Sequence, residues 1–239
     1  MTFNIFFPIS PRFKMDILPN ASLFLGIIPA LILLYIGLKG YEGYYKDKTI
    51  FLTFVIGIVL GFIAAVVRMF VMVLPGMVVY IILFAFFEQL LKTMILNIRR
   101  LQEKKETTIY GLSVGLGFGA VFTPFLIIAG SSFIASDLYI FSLITLGSIG
   151  IILFHGATGA YIGYGIYNGK LTRYLLTAVI IQLPFNWIVD MTRFRSDTYF
   201  PYLQLGLVIY GAIVFLYVVK KIIPQMLSQS QRRKRSKKT

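Results

Sequence analysis

The sequence predicts an all-α protein that crosses a membrane about seven times and folds as one helical bundle. Hydrophobic residues make up 58% of the 239 residues, and charged residues make up only 13%. The mean hydropathy is +0.82. Apolar runs recur along the chain, and each is long enough to cross the hydrocarbon core of a bilayer as a helix. This composition excludes an ordinary soluble domain.

The apolar runs define the predicted elements in order. Residues 1–21 are expected to form an irregular or interfacial lead-in, because they are mixed in polarity and contain three prolines. The predicted spans follow at residues 22–38, 50–74, 76–97, 109–129, 137–166, 172–190 and 200–220. The long, glycine-containing fifth run makes six spans the alternative count. We therefore predict a single transmembrane domain over 22–220 and a basic tail over 221–239.

The distribution of basic residues predicts the orientation. With the C-terminus in the cytoplasm, the cytoplasmic segments contain 17 Lys and Arg residues and the outer segments contain 5. This bias follows the positive-inside rule, so seven spans place the N-terminus outside. The tail is expected to touch anionic lipid headgroups rather than a specific nucleic acid. We expect an integral, multi-pass protein of the cell membrane.

The cysteine and histidine content of the sequence limits the kinds of catalytic and metal site that it can form. The chain contains no cysteine, which excludes disulfides and cysteine-based nucleophiles or metal sites. Its single histidine, His155, excludes an HExxH metal site. The N-terminus lacks a charged region followed by a small-residue cleavage site, so no removable signal peptide is expected.

Glu88 is the strongest functional candidate. It lies about twelve residues into the third apolar run, roughly 18 Å along a helix and close to the membrane midplane. A carboxylate at that depth costs a few kcal/mol and suggests a functional site. Lys92 follows one helical turn later on the same face, beside Gln89. The pair either neutralises itself, with Lys92 extending its ammonium toward the interface, or belongs to a larger polar site.

Further polar residues lie at a similar predicted depth. His155 occupies the fifth span, and Gln182 and Asn186 occupy one face of the sixth, with Pro184 expected to bend that helix. The candidate polar site therefore comprises Glu88, Gln89, Lys92, His155, Gln182 and Asn186. We expect Glu88 and His155 to hydrogen-bond each other. Two flanking charges have simpler interpretations: Asp190 is expected to pair with Arg193, and Arg68 to reach the outer interface.

A run of small residues marks the fourth span. Gly111, Gly115 and Gly119 are each one helical turn apart, and Ser113 adds to the same small surface. Small residues in a membrane helix allow close backbone approach. This groove is expected either to pack against a neighbouring span or to dock a partner protein.

Several of these residues together resemble a known superfamily, whose members include the CAAX prenyl proteases and the PrsW and YhfC intramembrane proteases. It also includes the anterior-pharynx-defective subunit of gamma-secretase. The protease members carry EExxK/R, an aromatic-led motif ending in Glu or His, a later His, and HxxxN/D. The corresponding stretches here are Glu88–Lys92, Phe118–Phe122, His155 and Gln182–Asn186. Gln89, Phe122 and Gln182 replace reactive residues of the protease pattern.

The replacement of these reactive residues argues against a conventional protease site. Only Glu88 and His155 remain as candidate catalytic residues, which is too few protein ligands for a conventional catalytic zinc. The non-catalytic gamma-secretase subunit, with seven spans, an outside N-terminus and a GLSxGxxxG signature, resembles this chain more closely. The resemblance implies a scaffold or partner-binding subunit that holds another membrane protein, in that complex an intramembrane protease.

Two alternatives stay open. One is an active glutamate- or metal-dependent intramembrane protease, which is the only case in which zinc is expected. The other is a transporter or channel in which Glu88 and His155 bind an ion or relay protons.

Overall fold

The structure is a computed structural model that describes residues 17–71, 77–102, 104–122, 124–125, 138–192 and 198–227. Most of the predicted lead-in and of the basic tail lies outside the described residues. The first helix begins at Ile17, so it starts within the stretch expected to be irregular. Pro19 is compatible with that start, because the first N–H groups of a helix have no intrahelical partner.

The described residues are helical and contain no strand, which confirms the all-α prediction. The α-helices are α1 Ile17–Leu38, α2 Asp47–Val71, α3 Met77–Leu96, α4 Thr107–Ala120, α5 Leu138–Tyr167, α6 Leu171–Met191 and α7 Phe200–Tyr217. A π-helical turn, Val218–Ile222, and a 3-10 turn, Ile223–Met226, continue α7.

Among the described residues, five helices are long and apolar enough to cross a membrane. The corresponding segments are Asp47–Phe70, Val78–Leu96, Tyr139–Tyr167, Leu171–Met191 and Phe200–Met226. In α1, the stretch Phe24–Leu38 is a shorter apolar helix. The fourth element, α4, has 14 residues, and residues 126–129 of the predicted fourth span lie outside the described residues. Several of the described helices are thus suited to a membrane, and the count of seven spans stays a prediction.

Helix α4 lies at the centre of the bundle. Every one of its residues is buried, and it packs against α1, α2 and α5. Glycines on both helices allow α2 and α4 to pack closely. Gly57 of α2 faces the Val114 carbonyl, and Gly117 of α4 faces the Phe54 carbonyl. Without Cβ atoms the two backbones approach closely, which is how small residues pack membrane helices.

The outer surfaces of the other helices are apolar. Large hydrophobic side chains on α1, α2, α3 and α7 are more than half exposed, among them Tyr35, Phe70, Val78 and Ile213. So much exposed apolar surface is unusual for a water-soluble protein and fits contact with lipid. The bundle therefore combines an apolar exterior with a tightly packed interior.

Candidate functional site

Nine polar side chains come together where α2, α3, α5 and α6 meet. All are buried, with at most 5% of each residue exposed. This polar cluster consists of Arg68, Glu88, Gln89, Lys92, His155, Thr158, Gln182, Asn186 and Asp190. It includes all six residues of the predicted polar site and adds three.

Helical periodicity positions most of these side chains. Glu88, Gln89 and Lys92 lie within one turn of α3 and share a face. Gln182, Asn186 and Asp190 follow at four-residue intervals along α6 and form a matching polar line. Because α3 and α6 pack against each other, the two polar faces meet inside the bundle.

The Gln182 amide connects the two helices through Glu88. Its Nε2 donates a hydrogen bond to Glu88 Oε2, and its Oε1 accepts one from Gln89 Nε2. An amide can donate and accept at once, so one side chain links two neighbours. Gln89, Gln182 and Glu88 thus form a hydrogen-bonded link between α3 and α6.

Arg68 supplies the charge that balances the carboxylates. Its Nη2 donates a hydrogen bond to Asp190 Oδ1 at 2.8 Å, and its Nη1 lies 3.8 Å from Glu88 Oε1. Its guanidinium carbon lies 5.0 Å from the centre of the Phe84 ring. The expectation that Arg68 reaches the interface is wrong, because two buried carboxylates and an aromatic face hold it inside. Asp190 pairs with Arg68, and Arg193 lies outside the described residues.

Lys92 contacts α5 rather than extending toward the interface. Its Nζ donates a hydrogen bond to Thr158 Oγ1 at 2.8 Å and lies 3.2 Å from His155 Nδ1. It also lies 5.2 Å from the centre of the Phe118 ring. Lys92 is completely buried, so the interface interpretation is wrong. The ion-pair partner of Glu88 is Arg68, not Lys92.

His155 is enclosed by aromatic rings. The ring centres of Phe118 and Phe122 lie 4.8 Å and 5.5 Å from that of His155. The polar contact of the imidazole is with Lys92, so the expected hydrogen bond between His155 and Glu88 is wrong. Phe122 stacks on the imidazole and shields it.

Four side chains of the cluster, those of Arg68, Glu88, Gln89 and Asn186, each have one polar atom that makes no hydrogen bond with the described residues. Two are donors, Arg68 Nε and Asn186 Nδ2, and two are acceptors, Glu88 Oε1 and Gln89 Oε1. Buried polar atoms usually have hydrogen-bond partners, so each of these exceptions needs an explanation. Asn186 lies in the cluster, and its amide nitrogen is one of these four atoms.

The glycine groove on α4 is filled by α5. A Cβ on Gly119 would lie 2.8 Å from Ile152 Cα, one on Gly115 2.9 Å from Gly156 Cα, and one on Gly111 3.2 Å from Ala160 Cα. Such distances leave no room for a side chain. Gly115 also faces the His155 carbonyl, so the groove helps to position the imidazole.

Ser113 faces α2 instead, where its Oγ donates to the Ile50 carbonyl at 2.7 Å. The groove and its serine are therefore internal packing contacts, and the interpretation of the groove as a docking face for a partner is corrected.

The donor set of the cluster does not fit a zinc site. Within the part of the chain that the structure describes, no group of three or more His, Cys, Asp or Glu side chains is placed to hold a metal ion. The two carboxylates of the cluster flank the Arg68 guanidinium, so a cationic side chain already occupies the space between them. A conventional catalytic zinc takes three protein ligands, which this cluster does not offer.

Sequence reasoning missed Arg68, Thr158 and Asp190 as members of the cluster. Arg68 and Asp190 each lie near the outer end of an apolar run, where an interfacial position is the simpler interpretation. One signal was available: opposite charges at the same predicted depth in two spans. Thr158 lies three residues after His155 and therefore on the same helix face, and that spacing was its only signal.

Comparisons with protein-family models, with curated proteins and with solved structures found no match to this chain.

Proposed function

We propose that the chain is a non-catalytic scaffold of the cell membrane, a multi-pass protein that holds another membrane protein, and that its polar cluster has a structural role. The observation that carries this proposal is that the charged side chains of the cluster have polar partners inside the bundle. Arg68 contacts both Asp190 and Glu88, and Lys92 contacts His155 and Thr158. The cluster joins α2, α3, α5 and α6, so it holds the interior of the bundle together.

The contacts and the burial of Glu88 favour a structural role over a catalytic one. A general base must reach the proton that it removes, directly or through one water molecule. In Glu88, one oxygen accepts a hydrogen bond from Gln182 and the other lies beside Arg68. The side chain is fully buried, and the nearby imidazole is covered by Phe118 and Phe122. These contacts stabilise the carboxylate in place and enclose both candidate catalytic groups.

The partner surface must lie on the outer helices, because α5 fills the α4 groove. The exposed apolar faces of α1, α2, α3 and α7 are available to lipid and to the spans of a second protein. The resemblance noted above favours an intramembrane protease as that second protein. Seven spans with an outside N-terminus belong to the same proposal.

A second candidate is an intramembrane protease that uses Glu88 to activate water. It is favoured by the atoms of the cluster that make no hydrogen bond, in particular Glu88 Oε1 and Asn186 Nδ2. An acceptor and a donor of this kind could orient a water molecule or the polar group of a substrate. This alternative needs an opening that admits substrate to buried residues.

The experiment that separates the two candidates starts from the tagged full-length chain, purified gently from its native membrane. Quantitative mass spectrometry of the co-purifying chains measures partner stoichiometry for the wild type and for Glu88→Gln. A stoichiometric membrane partner that both proteins retain supports the scaffold. A chain that purifies alone, and that cleaves a membrane substrate only when Glu88 is present, would refute it.

A further inference from the structure

A basic patch lies at one end of the bundle, formed by the α1–α2 loop and the α3–α4 loop. Residues 39–48 and 99–106 contain seven basic residues and four acidic ones. The basic residues are Lys39, Lys46, Lys48, Arg99, Arg100, Lys104 and Lys105. All except the half-buried Lys105 are exposed. Their charge is therefore available to a ligand outside the chain.

Contacts between the two loops hold the patch together. Lys105 Nζ of the α3–α4 loop lies 5.2 Å from the centre of the Tyr44 ring of the α1–α2 loop, and the Lys46 N–H donates to the hydroxyl of Tyr110, in the first turn of α4, at 3.3 Å. Within the second loop, Lys104 Nζ donates to the Arg100 carbonyl at 2.8 Å. Basic side chains from two separate loops are thus presented side by side, and little rearrangement is needed to bind a ligand.

The surface next to the patch is apolar. In the last turn of α1, Tyr35 is 73% exposed and Ile36 is 56% exposed. In the first turns of α2, Phe51 is 70% exposed and Leu52 is 49% exposed. A ligand that touches both surfaces needs a negatively charged head and an apolar tail. A soluble acidic protein would use the charges and leave the apolar strip without a role.

We propose that the basic patch binds the headgroup of an anionic phospholipid, whose acyl chains lie along the exposed faces of α1 and α2. Arginine forms paired hydrogen bonds with phosphate oxygens, and lysine supplies a compact positive charge. The half-buried Tyr44 lies beside Lys105, and tyrosine is enriched at membrane interfaces. The patch then anchors this end of the bundle at the headgroup layer and selects lipid by charge.

The test titrates the purified full-length chain in a neutral detergent with dioctanoyl-phosphatidylglycerol or dioctanoyl-phosphatidylcholine. Native mass spectrometry counts the bound lipids. The test variant changes Lys46, Arg99, Arg100 and Lys104 to Gln. The matched control changes four exposed basic residues elsewhere at the same end, namely Lys170, Arg173, Lys220 and Lys221. Both variants keep the basic tail, so its contribution cancels, and circular dichroism checks that both remain helical.

The wild type is expected to prefer the anionic lipid. Each removed charge should weaken binding by up to about fivefold, so the four together could lower the preference by up to about 600-fold. A fall of at least about tenfold is expected in the test variant, and the preference should persist in the control. Equal binding of the two lipids, or equal loss in both variants, would overturn the proposal. Displacement of the lipid by polyglutamate at matching concentration would overturn it too and would point to an acidic protein.

Discussion

Arg68 and Asp190 form a buried ion pair, 2.8 Å between Nη2 and Oδ1, that joins α2 to α6 across 122 positions of sequence. Glu88 lies 3.8 Å from the same guanidinium and adds α3 to the contact. One cation thus serves two carboxylates on two helices. Because one cation serves two carboxylates, we predict that the loss of Arg68 and the loss of Asp190 lower the stability of the protein by different amounts.

Removing Arg68 should destabilise the protein more than removing Asp190. Arg68→Gln leaves two buried carboxylates without their cation, and breaking a buried ion pair costs about 3–5 kcal/mol. Asp190→Asn leaves Arg68 its contact with Glu88, so the loss should be smaller. Thermal unfolding in detergent, followed by circular dichroism, measures both. Equal losses, or a larger loss for Asp190→Asn, would contradict the shared-cation arrangement.

Adding a single methyl group to the α4 groove should destabilise the bundle. In Gly115→Ala the new Cβ would clash with the backbone of α5, and overpacking of this kind costs about 1–3 kcal/mol. The matched control is Gly206→Ala on α7, because no atom lies within 4 Å of a Cβ there. The control should be neutral or slightly stabilising, since alanine favours helix over glycine. If the two variants unfold at the same temperature, α5 does not fill the groove.

The Thr158 hydroxyl should contribute to stability through Lys92. Thr158→Val keeps the shape of the side chain but removes the oxygen that accepts a hydrogen bond from the buried ammonium. Hydrogen bonds to charged groups contribute about 1.5–3 kcal/mol, and unfolding should show a loss of that order. Thr177→Val is the control, because the Thr177 hydroxyl bonds to the Arg173 carbonyl of its own helix. Comparable small effects in the two variants would show that Lys92 does not depend on Thr158.

The sequence was sufficient to predict the helices and the polar faces of α3 and α6. Apolar length defines a membrane helix, and four-residue spacing places side chains on one face, so Glu88 and Gln182 could be placed without a structure. The glycines of α4 predicted close helix packing for the same kind of local reason.

The partners of these faces could not be predicted in the same way. Periodicity says which residues share a face but not which helix lies opposite, so the choice between α5 and another protein for the Gly115 face stayed open. Arg68 and Lys92 have long side chains that reach either inward or toward an interface, and only tertiary packing selects one direction.

The measurement that tests the structural role of the polar cluster most directly is the thermal stability of Glu88→Ala in detergent. This change leaves the Gln182 amide and the Arg68 guanidinium without a shared acceptor. Glu42→Ala, at an exposed carboxylate in the α1–α2 loop, is the control, and surface changes of this kind usually stay within about 0.5 kcal/mol.

A structural cluster predicts a melting temperature for Glu88→Ala lower by on the order of ten degrees, at about 2–4 °C for each kcal/mol lost, and no change in the control. A melting temperature equal to that of the wild type, together with the loss of an intramembrane cleavage activity, would contradict the account and identify Glu88 as catalytic.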